Sequence, residues 1–248
     1  MTLTTHPPVD AYDELDSTNA EARRRAEAGR GGPVWITAAV QTAGRGRRGR
    51  NWASPSGNLA ATLLTTTDAP PAVAAQLSFV AALAAADLVD TCLGEGAAQL
   101  KWPNDVLVHG RKAVGVLIES GARSDGRLWL AVGVGVNLAV APDDTERPAT
   151  ALADHMAAPP PGALDALDIL ATRFEIWRQV WEQDGFAPIS RAWTARAHGL
   201  GGRCEARLPD RTLFGVADGL DEEGALRLRQ DDGTLVRITA GDVFFGGS

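Results

Sequence analysis

The chain is short of lysine, cysteine, methionine and tyrosine. Its 248 residues include only 2 Cys, 2 Met and 1 Tyr. Cys92 and Cys204 are too few and too far apart for a disulfide framework or a CxxC zinc site. Acidic side chains outnumber basic ones by 31 to 24, a net charge of −7, which opposes a general nucleic-acid binder with broad positive potential. There is no HExxH and no GxSxG, and His6, His109, His155 and His198 are scattered. Zinc hydrolysis and Ser-His-Asp catalysis are therefore disfavoured, and no metal ligands are expected. The longest apolar-rich run, Ala72 to Ala86, is mostly alanine, is interrupted by Gln76 and Ser78, and reads as too short to cross a bilayer. The first basic residue is Arg23, so no signal peptide is expected. With 45% hydrophobic residues the chain can bury a core, and a soluble cytoplasmic protein is the expectation.

Of the 24 basic residues only Lys101 and Lys112 are lysines. Arginine richness is compositional bias, but it singles out these two as candidates for positions that need a compact ammonium rather than a planar fork.

A strand is expected over Val9–Leu15, then a helix whose N-cap lies in Asp16-Ser17-Thr18-Asn19 and which ends near Ala28. Strands follow at 34–41 and 57–67, then a long helix over 71–93 with proline in its first turn. Short strands at 98–102, 106–109 and 113–119 follow, the last two turned by His109-Gly110-Arg111, and another strand at 128–138. After the proline-rich stretch at 158–162, Leu167, Leu170, Phe174, Trp177 and Trp181 recur at helical spacing, as a core face. Beyond residue 199, short alternating segments separated by turn signals predict a small all-β barrel. The expected division is therefore 1–198 and 199–248.

Three segments carry chemistry. Gln41 to Trp52 contains Gly44, Gly46 and Gly49 in formal GxGxxG spacing, but its spacers are arginines and a strand follows, so it is not a dinucleotide fingerprint. Arg45, Arg47, Arg48 and Arg50 on a glycine-rich loop suit a clamp for phosphate, with Trp52 able to stack on a base. A plain solvated basic loop is the alternative. Against it, the cluster has no acidic neighbour in sequence, which predicts a loop poorly ordered without an anion. The second segment is Lys101-Trp102-Pro103-Asn104-Asp105, with Lys112 returning past a hairpin to the same place, suited to charge developing on oxygen; an ordinary turn is the alternative. The third is Gly133-Val134-Gly135-Val136-Asn137, where glycines within a strand mark either close approach of a ligand or a bulge.

In this order and spacing the segments resemble the biotin–protein ligase family over nearly the whole chain. The resemblance implies an α+β fold: a mixed, class II synthetase-like catalytic sheet packed with helices, plus a C-terminal SH3-like barrel. It implies ATP-dependent conversion of biotin to biotinyl-5′-AMP, then transfer to a lysine of a biotin carboxyl carrier domain, with Mg²⁺ accompanying ATP. Lys112, Arg45, Arg47 and Asp105 become the catalytic candidates. Ser17, Thr18, Asn19, Gln41, Gly44, Arg45, Gly115, Leu117, Gly133 and Gly135 become the biotin candidates. Arg45, Arg47, Arg50, Trp52, Asn104, Lys112 and Asn137 fall to ATP and the adenylate, with Trp52 packing on adenine. Only 16 residues precede Ser17, so no DNA-binding helix-turn-helix, DNA partner or repressor activity is expected. No membrane partner is expected either, and both monomer and homodimer remain open. The rival readings are a lipoate or octanoyl ligase or transferase, sharing the fold and the acyl-adenylate logic, and a nucleotide- or RNA-binding module using the arginine loop and Trp52.

Overall fold

The computed structural model describes residues 6–143, 145 and 148–246. Strands β1 (Val9–Leu15), β2 (Val34–Gln41), β3 (Leu59–Thr67), β4 (Ala98–Lys101), β5 (Asp105–Val108), β6 (Arg111–Ala122) and β7 (Leu128–Val136) form one sheet in the order β1-β2-β3-β7-β6-β5-β4. Only β1 and β2 run parallel; the other neighbours are antiparallel. The β5–β6 hairpin turns through His109 and Gly110, with φ of 49° and 73°. That is the two-residue geometry matching the right-handed twist of its strands, and glycine meets the second demand without strain.

Helices cover both faces. On one, α1 (Thr18–Glu27) starts at Ser17, whose φ of −161° and ψ of 137° are those of an N-cap residue. Its Ala22 and Ala26 pack on Ile36, Leu64, Trp129 and Ala131. On the other face lie α2 (Pro71–Ala74), α3 (Leu77–Leu93), α4 (Ala163–Asp184) and α5 (Phe186–Ala195). The expected single helix over 71–93 is thus two pieces meeting at Ala75-Gln76, and α5 has no counterpart in the sequence reading. Together 71–93 is long and apolar enough by length and composition to cross a membrane, contrary to the sequence estimate. Its burial explains that composition: Val80 through Ala86 are all within the core, and a helix apolar all round is a buried one. Trp35 meets Phe174 edge-on at 5.8 Å, and Phe79 meets Phe186 and Trp193 at 5.1 and 5.6 Å. Trp177 and Trp181 turn their indole N–H groups to Asp87 and Gln76 at 2.8 and 2.9 Å.

The C-terminal strands β8 (Arg203–Arg207), β9 (Thr212–Leu220), β10 (Leu226–Arg229), β11 (Leu235–Ile238) and β12 (Asp242–Phe245) form an antiparallel sheet ordered β11-β10-β9-β8-β12. Among the described residues no ladder joins β11 to β12, so the expected barrel stays open on that side. Cys204, Ala206, Leu226, Leu228 and Val243 belong to the same apolar cluster as the first sheet and its helices. Trp102 Nε1 donates to Gly224 O across the junction at 3.1 Å.

Candidate active site

A cavity of about 430 Å³ opens where the N-terminus of α1 meets β3, β7 and β6. The register explains the space. Ala60, Gly135 and Gly115 lie side by side in one cross-strand row, and Thr62, Gly133 and Leu117 in the next. Side chains paired in this way share a face, so the first row is a floor of small residues. The Trp52 indole rests on it: a Cβ at Gly135 would lie 2.4 Å from the indole, and one at Gly115 2.9 Å. On the second row rests Asn19, because a Cβ at Gly133 would lie 2.2 Å from Asn19 Oδ1.

One end of the cavity is neutral and polar. Gln41 Oε1 accepts from the Thr18 backbone N–H at 2.8 Å and sits 3.1 Å from Thr18 Oγ1, while Gln41 Nε2 donates to Ser54 Oγ at 2.7 Å. Ser17, Thr18 and Asn19 are all buried. The helix dipole of α1 adds partial positive charge there.

The other end is cationic. Residues 44–52 form a closed strap, with Trp52 N donating to Gly44 O at 3.0 Å and Gly46 N to Arg50 O at 2.7 Å. Arg48 (φ 56°) and Gly49 (φ 73°) make its reversal. Three of its arginines, Arg47, Arg48 and Arg50, have partners within the fold, contrary to the expectation of arginines without internal partners. Arg48 and Arg50 reach Asp242 Oδ2 at 3.0 and 2.6 Å, and Arg47 donates to Asn104 Oδ1 and Gly241 O at 3.2 and 3.3 Å. Burial pushes the Arg47 pKa down, partly offset by Asp242 and Asp105; the guanidinium stays charged at any working pH. Lys112 Nζ lies 2.5 Å from Asp105 Oδ1 and 5.4 Å from the Trp52 ring centre. Its backbone is clamped on both sides, Lys112 N donating to Pro148 O and Thr150 N to Lys112 O, each at 2.9 Å. The ammonium therefore projects from a fixed point into the cavity.

Of the residues singled out from the sequence, Ser17, Thr18, Gln41, Arg45, Arg47, Arg50, Asn104, Asp105, Lys112 and Leu117 all line this cavity, as do Asn19, Trp52, Gly115, Gly133, Gly135 and Asn137. Gly44 does not. It begins the strap, where a Cβ would meet Trp52 O at 2.3 Å, so it lets the strap close rather than touching the cavity. Trp52 lies over glycines expected to wall the biotin slot. Asn137 has its amide turned to Thr150 O at 3.2 Å, bracing the segment that clamps Lys112. Sequence reasoning missed Asp242, Ser54, Thr62 and Glu119. Only the unbalanced charge of the arginine strap hinted at a carboxylate such as Asp242, 192 residues from its partner Arg50.

A lysine and an arginine strap thus face a neutral hydrogen-bonding end on a mixed sheet that packs with a small second β-sheet. Residues 15–137 match the biotin/lipoate A/B protein ligase family, and residues 199–246 match the biotin protein ligase C-terminal domain. A biotin–[acetyl-CoA-carboxylase] ligase from Paracoccus denitrificans is 45% identical over 244 residues, covering 94% of this chain and 98% of that one. The chain belongs to the biotin–protein ligase family. Its fold is that of the biotin protein ligase from Aquifex aeolicus, with a TM-score of 0.81 at 24% identity, covering 96% and 99% of the two chains. The biotin protein ligase from Leishmania major, solved with biotinyl-5-AMP, is 27% identical with a TM-score of 0.65, covering 95% and 100%.

Proposed function

We propose that this chain is an ATP-dependent biotin–protein ligase acting in the cytoplasm on the carrier domain of a biotin-dependent carboxylase. The observation that carries this reading is a single cavity with a neutral hydrogen-bonding end at Ser17, Thr18 and Gln41 and a cationic end at Arg45, Arg47, Arg50 and Lys112. A cyclic urea suits the first and a triphosphate the second.

In the first step a carboxylate oxygen of biotin attacks the α-phosphorus of ATP. The new O–P bond forms as the bond to pyrophosphate breaks, and the leaving group takes the electron pair. Negative charge grows on the oxygens around phosphorus, and Lys112 and the strap arginines, which line the cavity, are placed to stabilise it. Asp105 orients Lys112 through their ion pair. In the second step the ε-amine of the acceptor lysine attacks the acyl carbon. A C–N bond replaces the C–O bond, AMP leaves and the amine loses its proton. The strap covers the mixed anhydride and keeps water from it. Among the described residues no cluster of three acidic, histidine or cysteine side chains could hold a metal. We take Mg²⁺ to arrive with ATP, on phosphate oxygens and water. We also assign residues 1–198 to the catalytic unit and 199–248 to the C-terminal one.

The test is ATP-dependent transfer of labelled biotin, with lipoate in parallel, to a biotin carrier domain by wild type and Lys112→Ala. Biotin alone is expected to be transferred, and the variant to form adenylate about 10²–10³-fold more slowly. Lipoate transfer without biotin transfer would refute the substrate, and full activity of the variant would refute the role of Lys112.

A further inference from the structure

Behind the neutral end of the cavity runs a chain of hydrogen bonds that reaches the outer part of β6. Asn19 Nδ2 donates to Glu119 Oε2 at 2.7 Å, Asn19 Oδ1 lies 2.7 Å from Thr62 Oγ1, and Thr62 Oγ1 lies 2.8 Å from Thr18 Oγ1. Thr18 Oγ1 is the last member and lines the cavity. Thr62 has no exposed surface, and Asn19 and Thr18 are 5% and 3% exposed. Water therefore cannot correct an unfavourable arrangement inside the chain, and its proton directions must agree with one another.

Those directions follow from the outer end. A carboxylate only accepts, so Glu119 takes the amide N–H of Asn19 and forces Asn19 Oδ1 inward. That oxygen is also acceptor-only, so the single hydroxyl proton of Thr62 must point to it. Thr62 Oγ1 is then left to accept from Thr18 Oγ1. Thr18 Oγ1 has two possible acceptors, Thr62 Oγ1 at 2.8 Å and Gln41 Oε1 at 3.1 Å; with the Thr62 proton committed to Asn19, the shorter contact takes the Thr18 proton, and Thr18 presents lone pairs to the ligand. Gly133 permits the arrangement, because a Cβ there would strike Asn19 Oδ1.

We propose that Glu119 and Thr62 are positioning residues that set the hydrogen-bond polarity of the substrate pocket. Neither touches substrate. Glu119 fixes the Asn19 amide, Thr62 passes that orientation on, and Thr18 Oγ1 becomes an acceptor for an N–H of a cyclic urea. This deepens the ligase reading and rests on it. A ligand with a ring oxygen or sulfur in place of that N–H would meet lone pair against lone pair, so the relay also discriminates against it.

The experiment compares wild type, Glu119→Gln, Thr62→Val, Thr62→Ser and the Glu119→Gln/Thr62→Val double variant in biotin-dependent release of pyrophosphate. The expected result is a roughly tenfold rise in the KM for biotin in Glu119→Gln and in Thr62→Val. The KM for ATP and kcat at saturating biotin stay unchanged, Thr62→Ser behaves as wild type, and the double variant is no worse than the poorer single one, because both act through one chain. An unchanged biotin KM in Glu119→Gln, multiplied losses in the double variant, or losses that fall on kcat or ATP would each overturn the proposal. Glu119→Gln lies at the partly exposed end and decides the matter alone if Thr62→Val does not fold. Wild type that turns over no biotin would remove the ligase reading and this relay with it, whereas active wild type with an indifferent Glu119→Gln removes the relay only.

Discussion

Replacing Asp242 with alanine tests whether the C-terminal sheet holds the arginine strap. The Asp242 carboxylate is 10% exposed and meets Arg50 at 2.6 Å and Arg48 at 3.0 Å, with those guanidinium side chains 50% and 35% exposed. An exposed ion pair contributes under about 1 kcal/mol and a hydrogen bond to a charged group about 1.5–3 kcal/mol. Half-exposed arginines on a nearly buried carboxylate fall between, so the two contacts together hold the strap closed by about 1–2 kcal/mol. Their loss raises the population of open strap by roughly 5–30-fold, at about 1.4 kcal/mol per factor of ten. The strap is also a trypsin substrate, with arginines at 45, 47, 48 and 50. Cleavage that follows the open population accelerates by the same factor when closing is faster than cutting. Limited trypsinolysis, with the cut sites read by mass spectrometry, should therefore show Asp242→Ala nicked within 45–50 about 5–30 times faster than wild type. Asp242→Asn should lie between the two. Added salt should speed cleavage of wild type more than of Asp242→Ala. Equal cleavage rates for wild type and Asp242→Ala would refute the idea that β12 clasps the strap.

Three further outcomes are expected. Gly135→Ala places a methyl 2.4 Å from the Trp52 indole; the ring must leave the floor at a cost of about 1–3 kcal/mol, and altered tryptophan emission with at least a tenfold loss of adenylate formation should accompany it. Leu83→Ala on α3, with no exposed surface, should lower stability by about 2–5 kcal/mol in urea unfolding, while the folded fraction keeps its KM for biotin. Asp16 is held down from an ordinary 3.8 to about 2, chiefly by its hydrogen bonds to Arg24. A depressed carboxylate stabilises above its unfolded value and loses that contribution as pH falls through its folded value. Its side chain is 44% exposed, so screening limits this to less than about 1 kcal/mol; acid unfolding between pH 4 and 2 should be slightly flatter in Asp16→Asn than in wild type.

What the sequence revealed was mainly local. The Ser17 cap, the His109-Gly110 turn and the helical face of α4 each depend on neighbours a few residues away, so composition and period expose them. Lys112 and Asp105 were legible because one short hairpin returns the chain to its starting point. The break at Ala75-Gln76 was hidden because alanine and glutamine accept a helix without complaint. What Gly44 and Gly133 make room for was hidden for a related reason. Both glycines make room, but the occupant is a backbone carbonyl in one case and the Asn19 side chain in the other, and nothing in the strand pattern tells a ligand from a neighbour. Thr62 looked like any β-branched strand residue. Its hydroxyl gains meaning only from α1, which crosses β3 and β7 above it. For Asp242 the unbalanced arginines called for a carboxylate, but nothing in the sequence said which of the acidic residues, nearly 200 positions away, would supply it.

The strap is fastened by β12, far along the chain from the Ser17–Asn19 cap and from the β3, β6 and β7 residues of the cavity floor. A nascent chain can thus assemble the sheet and seat Lys112 long before residue 242 leaves the ribosome, yet it lacks the carboxylate that fastens the lid. Where a reactive anhydride would otherwise leak to water or to stray amines, this order of manufacture ties full containment of the intermediate to the synthesis of Asp242.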